Sequence, residues 1–258
     1  MARLSQLSRS IEGQVALVTG AGSGMGRAEA RLFADEGAKV ACVDITEAVL
    51  ATADEINEAH GDERAAAWII DVGDAAAVKR GVAEIVERLG PVDILVNNAG
   101  IVRPAVLDGG DDDAFEAAWA ETLAVDLTAH QRLARACLPS VTRIINIAST
   151  EGIGASRYNS PYVAAKHGVI GLTRAMAVEL GEKGITVNAV CPGPIRTGMT
   201  AGIPDEAKAK FARRMVPVRR YGDPEEVAHA ILSLALPASS FINGAVLVVD
   251  GGMTAKND

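Results

Sequence analysis

Ser149, Tyr162 and Lys166 bring a hydroxyl, a phenol and an ammonium group into one short stretch of the chain. A phenol has an unperturbed pKa of about 10, so it works as an acid or base near neutrality only if something stabilises its anion. Lys166 stands four residues after Tyr162, and residues four apart share a helix face, so its ammonium can do this. Ser149 ends the apolar run Arg143–Ala148, where its hydroxyl can hold a substrate oxygen. The chemistry within reach is proton transfer at an oxygen whose carbon gives or takes a hydride.

A hydride needs a carrier, and the first strand–helix unit offers a place for one. The turn Thr19–Gly26 reads TGAGSGMG, with Gly20, Gly24 and Gly26 spaced as GxxxGxG. Glycines let the backbone turn tightly and approach a pyrophosphate, which then sits on the amides opening a helix. The position after a strand and before a helix is the context such a turn requires. No Gly-Lys-Ser/Thr follows, which excludes a Walker-type loop. Asp44 ends the second expected strand, 24 residues after Gly20. A carboxylate there can accept both ribose hydroxyls of an adenosine and repels a 2′-phosphate, and neither Ser23 nor Ile45 supplies a basic group to offset that repulsion. The expected cofactor is therefore NAD.

Those residues need a scaffold. Apolar runs of strand length alternate with helix-patterned segments: Gln14–Thr19, a helix to about Glu36, Lys39–Asp44, a helix to about His60, Ala65–Ile70 and a helix to about Leu89. The rhythm continues with Val92–Val96, a long helix ending near Leu138, Arg143–Ala148, a helix from about Pro161 to Gly181, Ile185–Val190 and a seventh strand at Ala245–Val249. Continuously apolar strands separated by helices indicate a parallel sheet buried on both faces. Right-handed crossovers make it an α/β, doubly wound Rossmann-type sheet of about seven strands. Alternation breaks between Pro192 and Glu226, where five prolines fall; this stretch leaves a strand end and is the expected substrate lid, with Met199, Ile203, Phe211 and Met215 as an apolar inner face.

Composition bounds the rest. A chain of 258 residues, 49% hydrophobic, can bury a large core, and one domain is expected across 1–258. Acidic residues outnumber basic ones, 33 to 25, and no basic run could neutralise a nucleic-acid backbone. Cys42, Cys137 and Cys191 are scattered and odd in number, which fits a reducing, cytoplasmic setting. Met1–Ser10 lacks the apolar core of a secretion signal, and no stretch approaches the roughly 20 apolar residues that span a bilayer. His130, His167 and His229 lack ligand-type spacing, so no metal is expected. The acidic cluster Asp108–Asp113 reads as a solvated loop before a helix whose N-terminus favours carboxylates.

The order TGAGSGMG, NNAG at Asn97–Gly100, Ser149, YVAAK at Tyr162–Lys166, PGPIRT at Pro192–Thr197 and VDGG ending at Gly252 resembles the short-chain dehydrogenase/reductase family, over nearly the whole chain. The resemblance implies that Tyr162 is the general acid/base, that Lys166 lowers its pKa and holds the nicotinamide ribose, and that Ser149 orients the substrate oxygen. It further implies that Gly20, Ser23, Gly24, Met25 and Gly26 meet the phosphates and ribose, Asp71 and Val72 the adenine, and Asn98, Ala99 and Gly100 the cofactor along the fourth strand. Pro192, Gly193, Ile195 and Thr197 belong to the nicotinamide end, with Ile195 and Thr197 on the carboxamide. In one place the chain departs from the pattern: the family usually has asparagine in the fourth helix to complete a proton relay, and this chain has Asp126, 23 residues before Ser149. A carboxylate only accepts hydrogen bonds and adds negative charge near Lys166.

The activity so implied is oxidoreduction between a secondary alcohol and a ketone. A 3-oxoacyl-thioester reductase is the alternative, disfavoured by Asp44 because such enzymes commonly use NADPH. A dinucleotide-sensing regulator would have lost Tyr162 or Lys166, and methyltransferase chemistry needs no such trio. The resemblance also implies a homo-oligomer, often a tetramer. Glu151, Ile153, Arg157 and Tyr158 are expected around the substrate, whose identity the chain leaves open.

Overall fold

Seven strands form one parallel sheet in the order β3-β2-β1-β4-β5-β6-β7. In the computed structural model, which describes residue 4, residues 6–108 and residues 110–256, they are β1 (Val15–Thr19), β2 (Lys39–Asp44), β3 (Ala65–Ile69), β4 (Ile94–Asn97), β5 (Arg143–Ile147), β6 (Thr186–Pro192) and β7 (Val246–Val249). Part of the N-terminal stretch Met1–Ser10 and Gly109 of the acidic cluster lie outside the described residues. The doubly wound sheet is thus as expected, with strand ends within two residues of the apolar runs.

The strands are mostly apolar because helices cover both faces. Every residue of β1, β4 and β5 is buried. One face carries α1 (Gly24–Asp35), α2 (Ala48–His60) and α9 (Pro224–Ala235), whose Ala30, Phe33, Val49, Ile56, Val227 and Ile231 pack with Ala16, Val18, Val40 and Ile94. The other carries α3 (Ala75–Leu89), α5 (Ala129–Cys137) and α6 (Ser160–Leu180), with Val82, Ile85, Leu133 and Met176 against Leu17, Leu95 and Ile144. Local chemistry sets the helix ends: Asp74 accepts from the Ala76 and Ala77 amides to open α3, and Pro161 sits in the first turn of α6. In the acidic cluster, Asp111 accepts from the Ala114 amide to open α4 (Asp112–Leu123).

Strand order reverses between β1 and β4, and the connections diverge there, leaving a crevice beyond the carboxyl ends of the strands. Two departures from expectation bear on that crevice. The long helix ending near Leu138 is interrupted: α4 passes through a π-helical turn, Ala124–Thr128, before α5. Single π-turns are rare and concentrate at functional sites, and this one carries Asp126. The stretch after β6 contains two helices, α7 (Gly198–Ala201) and α8 (Asp205–Met215), before α9. Of Met199, Ile203, Phe211 and Met215, all are partly exposed and Met199 alone of the four reaches the crevice; Ala212 and Tyr221 make the buried contact beneath α8. No helix among the described residues is long and apolar enough to cross a membrane.

Candidate active site

A cavity of about 610 Å³ occupies the crevice. Gly20, Ser23, Gly24 and Met25 form its floor at the start of α1, with Asp44, Asp71 and Val72 at one end. Asn98, Ala99 and Gly100 follow β4, while Ser149, Tyr162 and Lys166 meet Pro192, Gly193, Ile195 and Thr197 at the other end. Two of the expected site residues lie behind this lining: Gly26 and Asp126 are buried and do not reach its surface.

The floor is backbone. Gly20 adopts φ +71°, and a side chain there would stand 2.8 Å from the Asn98 amide; one on Gly26 would collide with the Gly20 carbonyl at 2.3 Å. Thr19 pins the neighbouring turn, its hydroxyl accepting from the Asn98 and Ala99 amides at 3.0 Å, while Asn98 Nδ2 donates to the Thr19 carbonyl at 2.8 Å. Ser23 precedes α1 without capping it, so the first amides of α1 have no side-chain acceptor. An uncapped helix start beside glycines suits an anion such as a pyrophosphate. Asn98 Oδ1 is also buried without a partner. These residues fit a dinucleotide.

Asp44 joins strand end to glycine turn. Its Oδ2 accepts from Gly22 N at 3.0 Å and its Oδ1 from Thr46 N and Thr46 Oγ1 at 2.9 Å. A carboxylate offers about four acceptor positions, so three are taken and one remains for a ribose hydroxyl. The expectation that Asp44 receives both hydroxyls holds only if Thr46 Oγ1 turns away. Asp71 is likewise engaged, accepting from Gly73 N at 2.8 Å.

The far end is made of side chains drawn from separate elements. Lys166 is only 3% exposed, and its Nζ donates to the Ile147 carbonyl at the end of β5, 2.9 Å away, while standing 5.4 Å from the Tyr162 ring centre. Ser149 accepts from Glu151 N at 3.1 Å, so it does cap the following turn, and its hydroxyl is near enough to the Tyr162 phenol to favour the phenolate. Burial pushes the phenol's pKa up; the Lys166 charge and the Ser149 hydroxyl pull it down, and Asp126 and Glu151 push it up again. The expected lowering by Lys166 is present, but burial outweighs it. Asp126 is fully buried: Oδ1 accepts from Ile101 N at 2.8 Å and Oδ2 has no partner. Burial raises its pKa, against the pull of Lys166, the Ile101 amide and Arg103.

Beneath these groups, β4–β5 register sets Asn97 beside Asn146, joined at 2.8 Å, and Asn146 reaches Thr173 of α6 at 3.0 Å. His130 is buried next to them, and burial with the nearby Lys166 charge lowers its pKa to about 3, so the imidazole is neutral. Sequence reasoning missed Arg103 and Glu121, which line the cavity as a two-pronged ion pair at 2.8 Å; only the position of Arg103 just after NNAG could have signalled it. Glu151, Ile153, Arg157 and Tyr158 do not line the cavity; Tyr158 is 61% exposed at φ +62°.

The model of a family described as enoyl-(acyl carrier protein) reductase matches residues 20–254. Meso-2,3-butanediol dehydrogenase of Serratia marcescens is 39% identical over 251 residues, covering 95% of this chain and 96% of that one. The 3-oxoacyl-(acyl-carrier-protein) reductase of Thermotoga maritima is 38% identical over 249 residues, covering 94% and 98%. A solved structure from Beutenbergia cavernae, designated an NAD(P)-dependent gluconate 5-dehydrogenase and holding NADP at low occupancy, superposes with a TM-score of 0.86 at 37% identity over 96% of this chain and 99% of that one. The chain belongs to the short-chain dehydrogenase/reductase family and is an oxidoreductase that uses a nicotinamide cofactor.

Proposed function

We propose that the protein interconverts a secondary alcohol and a ketone with NAD, using Tyr162 as general acid/base. The observation that carries this reading is the buried Lys166 ammonium beside the Tyr162 ring, with the Ser149 hydroxyl near the same phenol. When bound, a nicotinamide dinucleotide supplies the hydride acceptor or donor. In oxidation, Tyr162 removes the hydroxyl proton while Ser149 donates a hydrogen bond that holds the substrate oxygen; in reduction, the phenol returns the proton to that oxygen. Lys166 stabilises the phenolate, fixed in place by the Ile147 carbonyl. Asp126 is the candidate relay group behind it.

NAD is favoured over NADP because Asp44 stands at the adenosine end with no basic residue at Ser23 or Ile45. Initial rates with the two cofactors test this, and a strong NADPH preference would overturn it. Tyr162→Phe tests the acid/base role: NADH binding should persist while turnover falls by about 10²- to 10⁴-fold. The alternative, reduction of a 3-oxoacyl thioester, is favoured by the Thermotoga maritima relative. A panel pairing simple alcohols with a 3-oxoacyl thioester separates the two.

Residues 192–226 are proposed as the substrate lid within a single catalytic domain spanning 1–258; Met199 supplies its cavity-facing apolar contact. Exposed Val178 on α6 and Phe241 before β7 support assembly into a homotetramer, and the free cysteines support a cytoplasmic location.

A further inference from the structure

Two acids stand near one buried cation. Lys166 Nζ lies by the Tyr162 ring on α6, and the Asp126 carboxyl, carried on the π-turn, approaches the same face of Gly100. A methyl group on Gly100 would sit 3.2 Å from Asp126 Oδ1 and 3.6 Å from Lys166 Nζ, so the absence of a side chain there lets both charged groups close on one point. Asp126 has no exposed surface, one oxygen held by Ile101 N and the other unpartnered. Arg103, the second cation that Asp126 senses, is bound two-pronged by Glu121 of α4. From α5 His130 stands near Lys166 as a neutral imidazole, from β6 the Cys191 thiol also lies near it, and Glu151 adds negative charge near Tyr162. Among the described residues, Lys166 is therefore the cation whose charge acts on both acids.

We propose that Asp126 is a positioning residue that competes with Tyr162 for the Lys166 ammonium, so that its carboxylate keeps the phenol protonated and moves the working range of the reaction to higher pH. The inference rests on Tyr162 being the acid/base group. Oxidation needs the phenolate, so its activity rises as the phenol loses its proton; reduction needs the phenol, so its activity falls through the same point. An ionised carboxylate beside the shared cation offsets part of the pull on the phenol and delays that point.

Asp126→Asn tests this. The amide oxygen can still accept from Ile101 N, and the NH₂ group takes the place of the unpartnered oxygen, so the shape is kept while the charge goes. The acid limb of kcat/KM for alcohol oxidation and the alkaline limb for ketone reduction should both move about one pH unit downward. A merely structural lesion would lower rates at all pH values without moving either limb. Asp126→Ser, which removes the same charge with a smaller group, should shift them in the same direction. Tyrosinate ultraviolet absorbance, corrected with the Tyr162→Phe variant, reads the phenol without turnover and should show the same displacement. Unmoved limbs and an unmoved titration overturn the competition while leaving Tyr162 as acid/base; a Tyr162→Phe variant of full activity overturns both.

Discussion

The two ends of the cavity are built by opposite means. At the adenosine end, one contiguous run, β1 to β2, supplies glycine backbone, helix amides and a carboxylate held by its own neighbours. At the proton-transfer end, the π-turn contributes Asp126, the segment just after β5 contributes Ser149 and α6 contributes both Tyr162 and Lys166, and three of these four polar groups are buried. The first arrangement depends on local geometry and tolerates change elsewhere. The second depends on mutual electrostatics, so removing one member alters the others.

The contrast extends to two buried acids. Glu29 on α1 is buried with both oxygens unpartnered, and burial alone raises its pKa to about 8. It has no cation and stays protonated at neutral pH. Asp126 has Lys166, which opposes that effect. A buried carboxyl without a counter-charge is a stability feature; one beside a lysine becomes part of the chemistry.

Lys166→Ala is the strongest way to break the comparison. It should lower kcat/KM by about 10³-fold through loss of the phenolate's partner, with far-ultraviolet circular dichroism unchanged. Glu29→Gln comes next. Between the unfolded value of 4.5 and the folded value of about 8, the native chain keeps a proton that the unfolded chain releases, so wild-type stability falls as pH rises through that window. The ceiling on that loss is roughly 5 kcal/mol, and denaturant melts at about pH 5 and about pH 9 should show the slope in the wild type and little of it in the variant. Asp44→Ala should then reduce the preference for NAD over NADP by about 10- to 50-fold, measured as the ratio of kcat/KM values, with little change in the phenol's pH profile. Smallest is Thr200→Val, which removes the Oγ1 that accepts from Thr197 N at the start of α7 and should cost about 1 kcal/mol of stability, read by thermal melting.

Legibility followed the same division. The glycine turn and Asp44 could be read directly because their partners lie nearby in the chain, and the strands because burial on both faces makes them predominantly apolar. The π-turn escaped notice because one widened turn scarcely alters the apolar period of α4 and α5. Glu29 gave no signal, since glutamate is ordinarily exposed and nothing in its neighbours marks it as buried. The Arg103–Glu121 pair spans 18 residues and two elements, so only tertiary structure brings it together. Ser149, Tyr162 and Lys166 could be picked out by type and spacing, but the dominance of burial over the lysine's pull needed the packed structure.

An ammonium has three N–H donors, and Lys166 spends one on the last carbonyl of β5. Its bearing is thereby taken from a buried strand end of the sheet. Loops at the mouth can lengthen, shorten or change character from one lineage to another while the proton-handling group stays trained on the same spot. A common engine with interchangeable fittings is what relatives named for a butanediol and for an oxoacyl group on a carrier protein would require.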